Sequence, residues 1–408
     1  MFFWLLTVIV LASLAGIGYR QGAIRVAFSL LGIIVGALLA APLGKLLTPL
    51  VGVFGIKNPV AAGALGPLIV FVVISVLFKV GAFYAHQKIE VHFKYRAGDL
   101  RLALWERMNH RVGLCLALVN GTLYLVLISF VLFVFGYWTV QLSSDDKDPK
   151  LMRLVTRLAH DLQSTGFAKV ARSVDPLSAN WYEAADLAGT IYNNPLTEAR
   201  LARYPAFLSL AERPQFQEMS SDAQFTELLM RPAPVTELLD HPKAQAVLQD
   251  PALLKTIWGT VKPDLKDIPN YLVTGRSAKY EGEKILGRWN FNADLTASAL
   301  RRAKPTITSK EMQAWKRWIA AAFAKTSFVA MTDHHAVLKN IPQVRLPSTG
   351  AASVGTPQTL KGQWKDVDSK YELGLTDGAK EESLMATIDG DRMTIAVEGL
   401  SLVFDREI

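Results

Sequence analysis

Cysteine is nearly absent from this chain. Cys115 is the only one among 408 residues, so no disulfide within the chain can staple it and each part must be held by its own core. No serine beyond residue 141 lies in a Gly-Asp-Ser-Gly or Gly-x-Ser-x-Gly setting, which removes the usual contexts of a serine nucleophile. Phosphate-loop and dinucleotide fingerprints are missing too. The adjacent histidines His334 and His335 follow Asp333, but no further Cys or His cluster completes a ligand set. They read as an exposed turn, with no metal and no cofactor expected. The C-terminal strands lack a basic stripe interleaved with aromatics, so nucleic acid is not an expected partner. The expectation is therefore a non-enzyme.

Four long apolar runs lack acidic residues altogether: about residues 2–18, 25–43, 60–78 and 112–138. Ion-coupled transport normally places ionisable groups near the midplane of a bundle, and here Arg25 and Lys79 lie only at run ends. Half of the chain is hydrophobic, with a mean hydropathy of +0.22 and a net charge of +8. The apolar excess is concentrated in the first third, where each run is long enough to cross a hydrocarbon core of about 30 Å at about 1.5 Å per residue. The first run has no basic residues before it and no small-residue cleavage site after it, so it reads as a retained helix.

Lysine and arginine fix the expected orientation. Arg20 and Arg25 lie in the first loop, and Lys88, Lys94, Arg96, Arg101, Arg107 and Arg111 lie in the third; the second has only Lys45 and Lys57. Loops one and three therefore face the cytoplasm, with the N-terminus and everything beyond about residue 141 in the periplasm. The third loop, residues 86–111, reads either as a helix lying on anionic headgroups or as a plain positive connector; anionic membrane lipids are its expected partner. Gly32 and Gly36 in the second run, and Gly113, Ala117 and Gly121 in the fourth, are spaced by four. This small-residue stripe suits close helix packing, either within one bundle or across a homo-oligomer seam.

The first turn, "GYRQGAIR", the start of the second run, "VAFSLLGIIVG", and the approach to the fourth, "NHRVGLCLALVNG", resemble the CvpA (colicin V production protein) family of bacterial inner-membrane proteins. Matching positions are Arg20, Gly22, Arg25, Ser29, Gly32 and Gly36, then Asn109, Arg111, Gly113 and Gly121. The likeness covers about residues 1–140. It implies a four-span inner-membrane protein required for colicin V production or export, with no catalytic residue.

Beyond Asp145, charged residues are scattered and apolar ones recur at helical intervals. Residues 151–174 predict an amphipathic helix with Leu151, Leu154, Val155, Leu158 and Leu162 on its buried side. Further on, "DHPKAQAVL" and "QDPALLKTI" predict helices starting at proline and capped by Asp or the next residue. They resemble the short Asp-Pro helices of STI1-type modules, which implies either a groove for hydrophobic segments or an ordinary packed layer.

From "ILGRWNFN" onward the period becomes two, with hairpin turns at "DGDR" and "EGLS" and further strand-like stretches at "SFVAMTD" and "HAVLKNIP". A helical insert spans 294–325, and "LPSTGAASVGTPQT" reads as a linker. "LGRWNF" and "KGQWKD" resemble the Gly-x-Trp opening of lipocalin-like barrels. Trp289, Trp364 and Tyr371 are then the expected core of the β module.

The expected architecture is therefore a membrane four-helix bundle (1–142), an exported helical segment (143–280), and an antiparallel β-barrel or curved sheet (281–408). The expected role is to anchor periplasmic modules that bind an envelope protein, in toxin production, secretion or envelope maintenance. The alternative is an oligomeric channel or transporter for a small solute.

Overall fold

The structure is a computed structural model that describes residues 2–53, 59–96, 98–144, 147–231, 233–345, 353–377, 381–397 and 400–407. It divides into two compact units, Met1–Asn193 with Ala223–Thr256, and Asn194–Asp222 with Ile257–Ile408. The helical segment expected at 143–280 contributes to both.

Three long apolar helices dominate the first unit: α1 (Phe2–Val53), α2 (Pro59–Arg96) and α3 (Asp99–Gln141). Each holds a stretch long and apolar enough to cross a membrane. Much of their side-chain surface is exposed and hydrophobic, including Leu38, Leu46, Val72 and Leu77. In water such a surface would drive association, whereas in hydrocarbon it is at home. The first two apolar runs, expected as separate helices, fall within α1, which is interrupted at Gly22 (φ 79°, ψ 166°).

Residues 86–111 form neither a loop nor a separate surface helix. Residues 88–96 continue α2, and Asp99 to Arg111 are the opening turns of α3. Gly98, at φ 79°, precedes the new helix, and its positive φ is incompatible with helical continuation.

Helices α4 (Lys150–Gln163), α5 (Phe167–Ser173) and α6 (Ala179–Asn193) follow. Leu162 packs with Phe3 and Leu132, and Val155 and Leu158 lie beside them. Asp161 accepts the Phe2 N–H at 2.6 Å, satisfying one of the unpaired amides at the start of α1. The expected buried side of α4 is only partly buried, since Leu151 and Leu154 are exposed. The buried positions are Thr156, Ala159 and Leu162. A Cβ on Gly136 of α3 would come within 2.4 Å of the Ala159 Cβ, so the small residue at 159 rotates the contact face away from 151 and 154. The proline-initiated helices Pro242–Leu248 and Pro251–Val261 are present. His241 accepts from the Lys243 N–H, and Asp250 from the Ala252 and Leu253 N–H groups.

In the second unit, β1 (Gly287–Phe291), β2 (Ser327–Ala330), β3 (His335–Arg345), β4 (Ser353–Val367), β5 (Lys370–Thr376), β6 (Glu381–Asp389), β7 (Arg392–Val397) and β8 (Leu400–Arg406) form a closed barrel. Each strand pairs antiparallel with the next, and β8 returns to β1, so no edge is left open. Alternation puts one side of each strand inside, as in β5, where Tyr371, Leu373 and Leu375 are buried. The insert between β1 and β2 is two helices, Ala293–Ala303 and Ser309–Ala322, and the second opens with a capping box between Thr308 and Glu311. The residues read as a linker divide: 346–352 lie outside the described residues, whereas Ser353 to Thr359 belong to β4. Register shifts in β3 near Leu338–Ile341 and Pro342–Val344 let the polar segment pair, with Pro342 opposite Pro357.

A polar network ties together helical and turn residues of the second unit. Asp264 accepts from Lys279 and from the Tyr280 hydroxyl, and Asp267 from Ser277 and, at 2.9 Å, the Tyr204 hydroxyl. Burial, and then the bond to Asp267, raises the Tyr204 pKa above its ordinary 10.0. Tyr280 is raised by burial and by Asp264, and Lys279 rises above 10.5 chiefly through its bond to Asp264. All three lie higher in the folded chain than in the unfolded one. Their stabilisation is therefore complete below about pH 10 and is lost as pH rises through the folded values. Hydrogen exchange of the barrel strands is expected to accelerate above that pH, and Tyr204→Phe is expected to flatten the dependence. An unchanged slope in that variant would show that Tyr204 contributes nothing to it.

Candidate functional site at the Gly22 turn

Two residues that the sequence singled out, Gly22 and Asn109, meet in the first unit. Gly22 sits against Asn109, and a Cβ added there would lie 2.1 Å from Asn109 Nδ2. Asn109 is buried and its Oδ1 accepts the Ala23 N–H at 2.8 Å, capping the helix that resumes after Gly22. His110 Nδ1 lies 2.5 Å from the Tyr19 carbonyl, three residues before the break. The two residues preceding Arg111 thus serve the two sides of one interruption. Arg20 and Arg111 themselves are exposed.

Arg25 is different. Its guanidinium lies 5.8 Å from the centre of the Phe83 ring, and its Nε is buried with no hydrogen-bond partner. His86, 8% exposed, stands 3.6 Å from Glu90 through Nε2, while its Nδ1 is also buried and unpaired. The Trp105 ring lies 6.2 Å from His86 and stacks on Phe93 at 5.2 Å. Alongside runs an apolar groove of about 460 Å³ lined by Ala23, Ile24, Phe93, Leu104, Trp105 and Met108, with Arg101 also in its wall.

The small residues form two seams. A Cβ on Gly18 would approach the Ala117 Cβ to 2.2 Å, one on Gly113 the Gly18 carbonyl to 2.6 Å, and one on Gly121 Leu11 to 2.9 Å. Gly32 faces Phe78, and Gly36 faces Phe71. Gly113, Ala117 and Gly121 therefore lie against α1, and Gly32 and Gly36 against α2, all within one chain. The Asn120 amide reaches Ser29 Oγ at 3.4 Å.

In the barrel, Trp289 and Trp364 are almost wholly buried, and their indole N–H groups donate to the Ile285 and Met331 carbonyls. Tyr371 packs edge-on against Trp364, 5.9 Å away. With Phe328, Leu338, Leu373 and Phe404 they fill the interior. Sequence reasoning missed Arg406. Opposite Trp289 in the register, it lays its guanidinium 4.3 Å from the indole and donates to the Leu286 and Lys284 carbonyls. Burial depresses its pKa, with Asp391 opposing that shift. Nothing local in "FDREI" signals this role. Asp333, His334 and His335 form a turn in which His335 contacts Asp333. Among the described residues no group of three or more His, Cys, Asp or Glu side chains could hold a metal.

No protein-family model matches the chain, and no curated protein or solved structure matches it either. The functional reading therefore rests on the residues and their geometry.

Proposed function

We propose that the first unit is a membrane bundle of four crossings in the bacterial inner membrane, in which α1 turns back at Gly22 and crosses twice. One observation carries this reading. Partners on α3 fall in number as α1 advances, from Gly121 beside Leu11 to Ala117 beside Gly18 and Asn109 beside Gly22, and then rise again to Asn120 beside Ser29. Asn109 and Asn120 are about 16 Å apart along a helix rising 1.5 Å per residue, so a straight α1 would not bring Ser29 back to Asn120.

The basic residues of residues 86–111 and the Gly22 turn share one end, which the retention of positive charge assigns to the cytoplasm. Trp138 and Trp181, tilted against each other with ring centres 5.3 Å apart, with Tyr137 and Tyr182, mark the opposite end as an aromatic interface belt. The segments after α3 are then periplasmic. In this reading the chain is a non-catalytic anchor that presents helical and barrel modules to an envelope partner. The CvpA-like pattern at Arg20, Gly22, Arg25, Asn109 and Arg111 supports a role in toxin production or secretion, or in envelope upkeep.

In a Cys115→Ala background, Lys147→Cys is expected to react with a membrane-impermeant maleimide in intact cells, and Arg107→Cys only after lysis. The reverse pattern overturns the topology. The chain is also expected to restore colicin V production in a host lacking its own CvpA protein; correct insertion without restoration would sink the functional assignment alone.

A further inference from the structure

The cytoplasmic end of the bundle carries two buried polar atoms without partners, Arg25 Nε and His86 Nδ1. An unsatisfied polar group in a region short of water is costly, and each one calls for a ligand. Arg25 lies over the Phe83 ring, and Phe83 and His86 are three residues apart on α2, so Arg25 and His86 share one locality. The apolar groove begins next to them. Ile24, the neighbour of Arg25, lines it, and so does Trp105, whose ring faces His86. Its volume of about 460 Å³ lies within the roughly 300–1,000 Å³ of small-molecule sites. The groove is almost wholly apolar, and Arg101 brings a further positive charge to its wall.

We propose that this place binds one anionic phospholipid of the inner leaflet, its phosphate held by Arg25 and His86 and one acyl chain laid in the groove. The chemistry fits at both ends. A phosphate oxygen accepts from Arg Nε–H and from a His86 ring carrying its proton on Nδ1, giving charge-assisted bonds where water is scarce. The chain replaces solvent along Phe93, Leu104, Trp105 and Met108. Glu90, the acid nearest His86, lies on its Nε2 side and leaves Nδ1 to the phosphate. Arginine beside an acyl chain also fits the lower exposure of Arg25 than of Arg20 and Arg111.

The inference rests on the membrane reading above, and its test separates the two. Full-length protein is reconstituted in phosphatidylcholine vesicles containing a minor fraction of phosphatidylglycerol brominated on its acyl chains, and Trp105 quenching is taken as the difference from Trp105→Phe. Brominated phosphatidylglycerol is expected to quench Trp105 at about tenfold lower mole fraction than brominated phosphatidylcholine, the ratio that about 1.4 kcal/mol supplies. Arg25→Gln combined with His86→Gln is expected to bring the two lipids to parity, whereas Arg111→Gln, at an exposed arginine of the same end, keeps the preference. Equal quenching by both lipids in the unmodified chain overturns the proposal, as does a preference that survives the double substitution in protein of unchanged melting temperature. Failure of the chain to enter the vesicles at all would instead overturn the membrane reading.

Discussion

Gly22→Ala is expected to remove most of the folded protein from the membrane. The backbone at Gly22 occupies φ 79°, ψ 166°, a region essentially reserved for glycine, where a side chain costs about 1–3 kcal/mol. The new methyl would also lie 2.1 Å from Asn109 Nδ2, with Cγ and Oδ1 at 2.7 and 2.8 Å. Asn109 cannot swing away freely, because its Oδ1 holds the Ala23 N–H. Releasing that amide leaves a buried donor unpaired, a further cost of about 1–3 kcal/mol. Together these come to about 2–6 kcal/mol, a large share of a typical domain's stability of about 5–15 kcal/mol. The measurement is the melting temperature and trypsin resistance of the detergent-extracted protein. Gly16→Ala is the control, since its added Cβ meets nothing within 4 Å. Asn109→Ala alone is expected to cost about 1–3 kcal/mol for the lost cap. The double variant should be less destabilised than the sum, because Asn109→Ala removes the clash while leaving the strained φ. Strict additivity would mean that the two residues do not act on one turn.

That turn was half legible. Hydropathy breaks between residues 18 and 25, and the glycine there belongs to a pattern that already singles out Arg20 and Arg25. What composition cannot show is that Asn109, 86 residues further on, supplies the capping oxygen. The extent of the helices was also misjudged around residues 86–111, since charge and polarity mark the membrane boundary but do not stop a helix. Helix α2 continues through Lys88 and Lys94 to Arg96, and Gly98 precedes α3. Strands were easier, because an alternating period of two survives in "KYELGLT" and "RMTIAV". It fails in "SVGTPQT", whose proline and polar residues conceal a pairing set by β3. The sequence left a closed barrel and a curved sheet as alternatives, and the barrel is what forms; the choice depends on β1 meeting β8 more than 100 residues away.

Arg406 tests that closure. Substitution by methionine keeps an unbranched, apolar stem but removes every charged contact at once. The Leu286 and Lys284 carbonyls lose donors at 2.7 Å, Asp391 loses a partner at 3.2 Å, and Trp289 loses the cation 4.3 Å from its ring. The Leu286 bond is part-buried and the Lys284 bond exposed, so leaving these acceptors unpaired costs at most about 1–3 kcal/mol, and the loss of a cation over an indole costs up to about 2 kcal/mol more. Because the Arg406 side chain remains 26% exposed, water recovers part of this, and a net loss of about 2–4 kcal/mol is expected. Arg406→Lys should recover little, since one ammonium cannot reproduce a planar fork reaching two carbonyls and a carboxylate while stacking on a ring. Hydrogen exchange of β1 and β8 should rise in both variants, while α1–α3 amides stay protected. The force of the comparison lies in the lysine variant: if it behaves like the native chain, charge alone closes the barrel and the stacked, forked geometry at Trp289 is incidental.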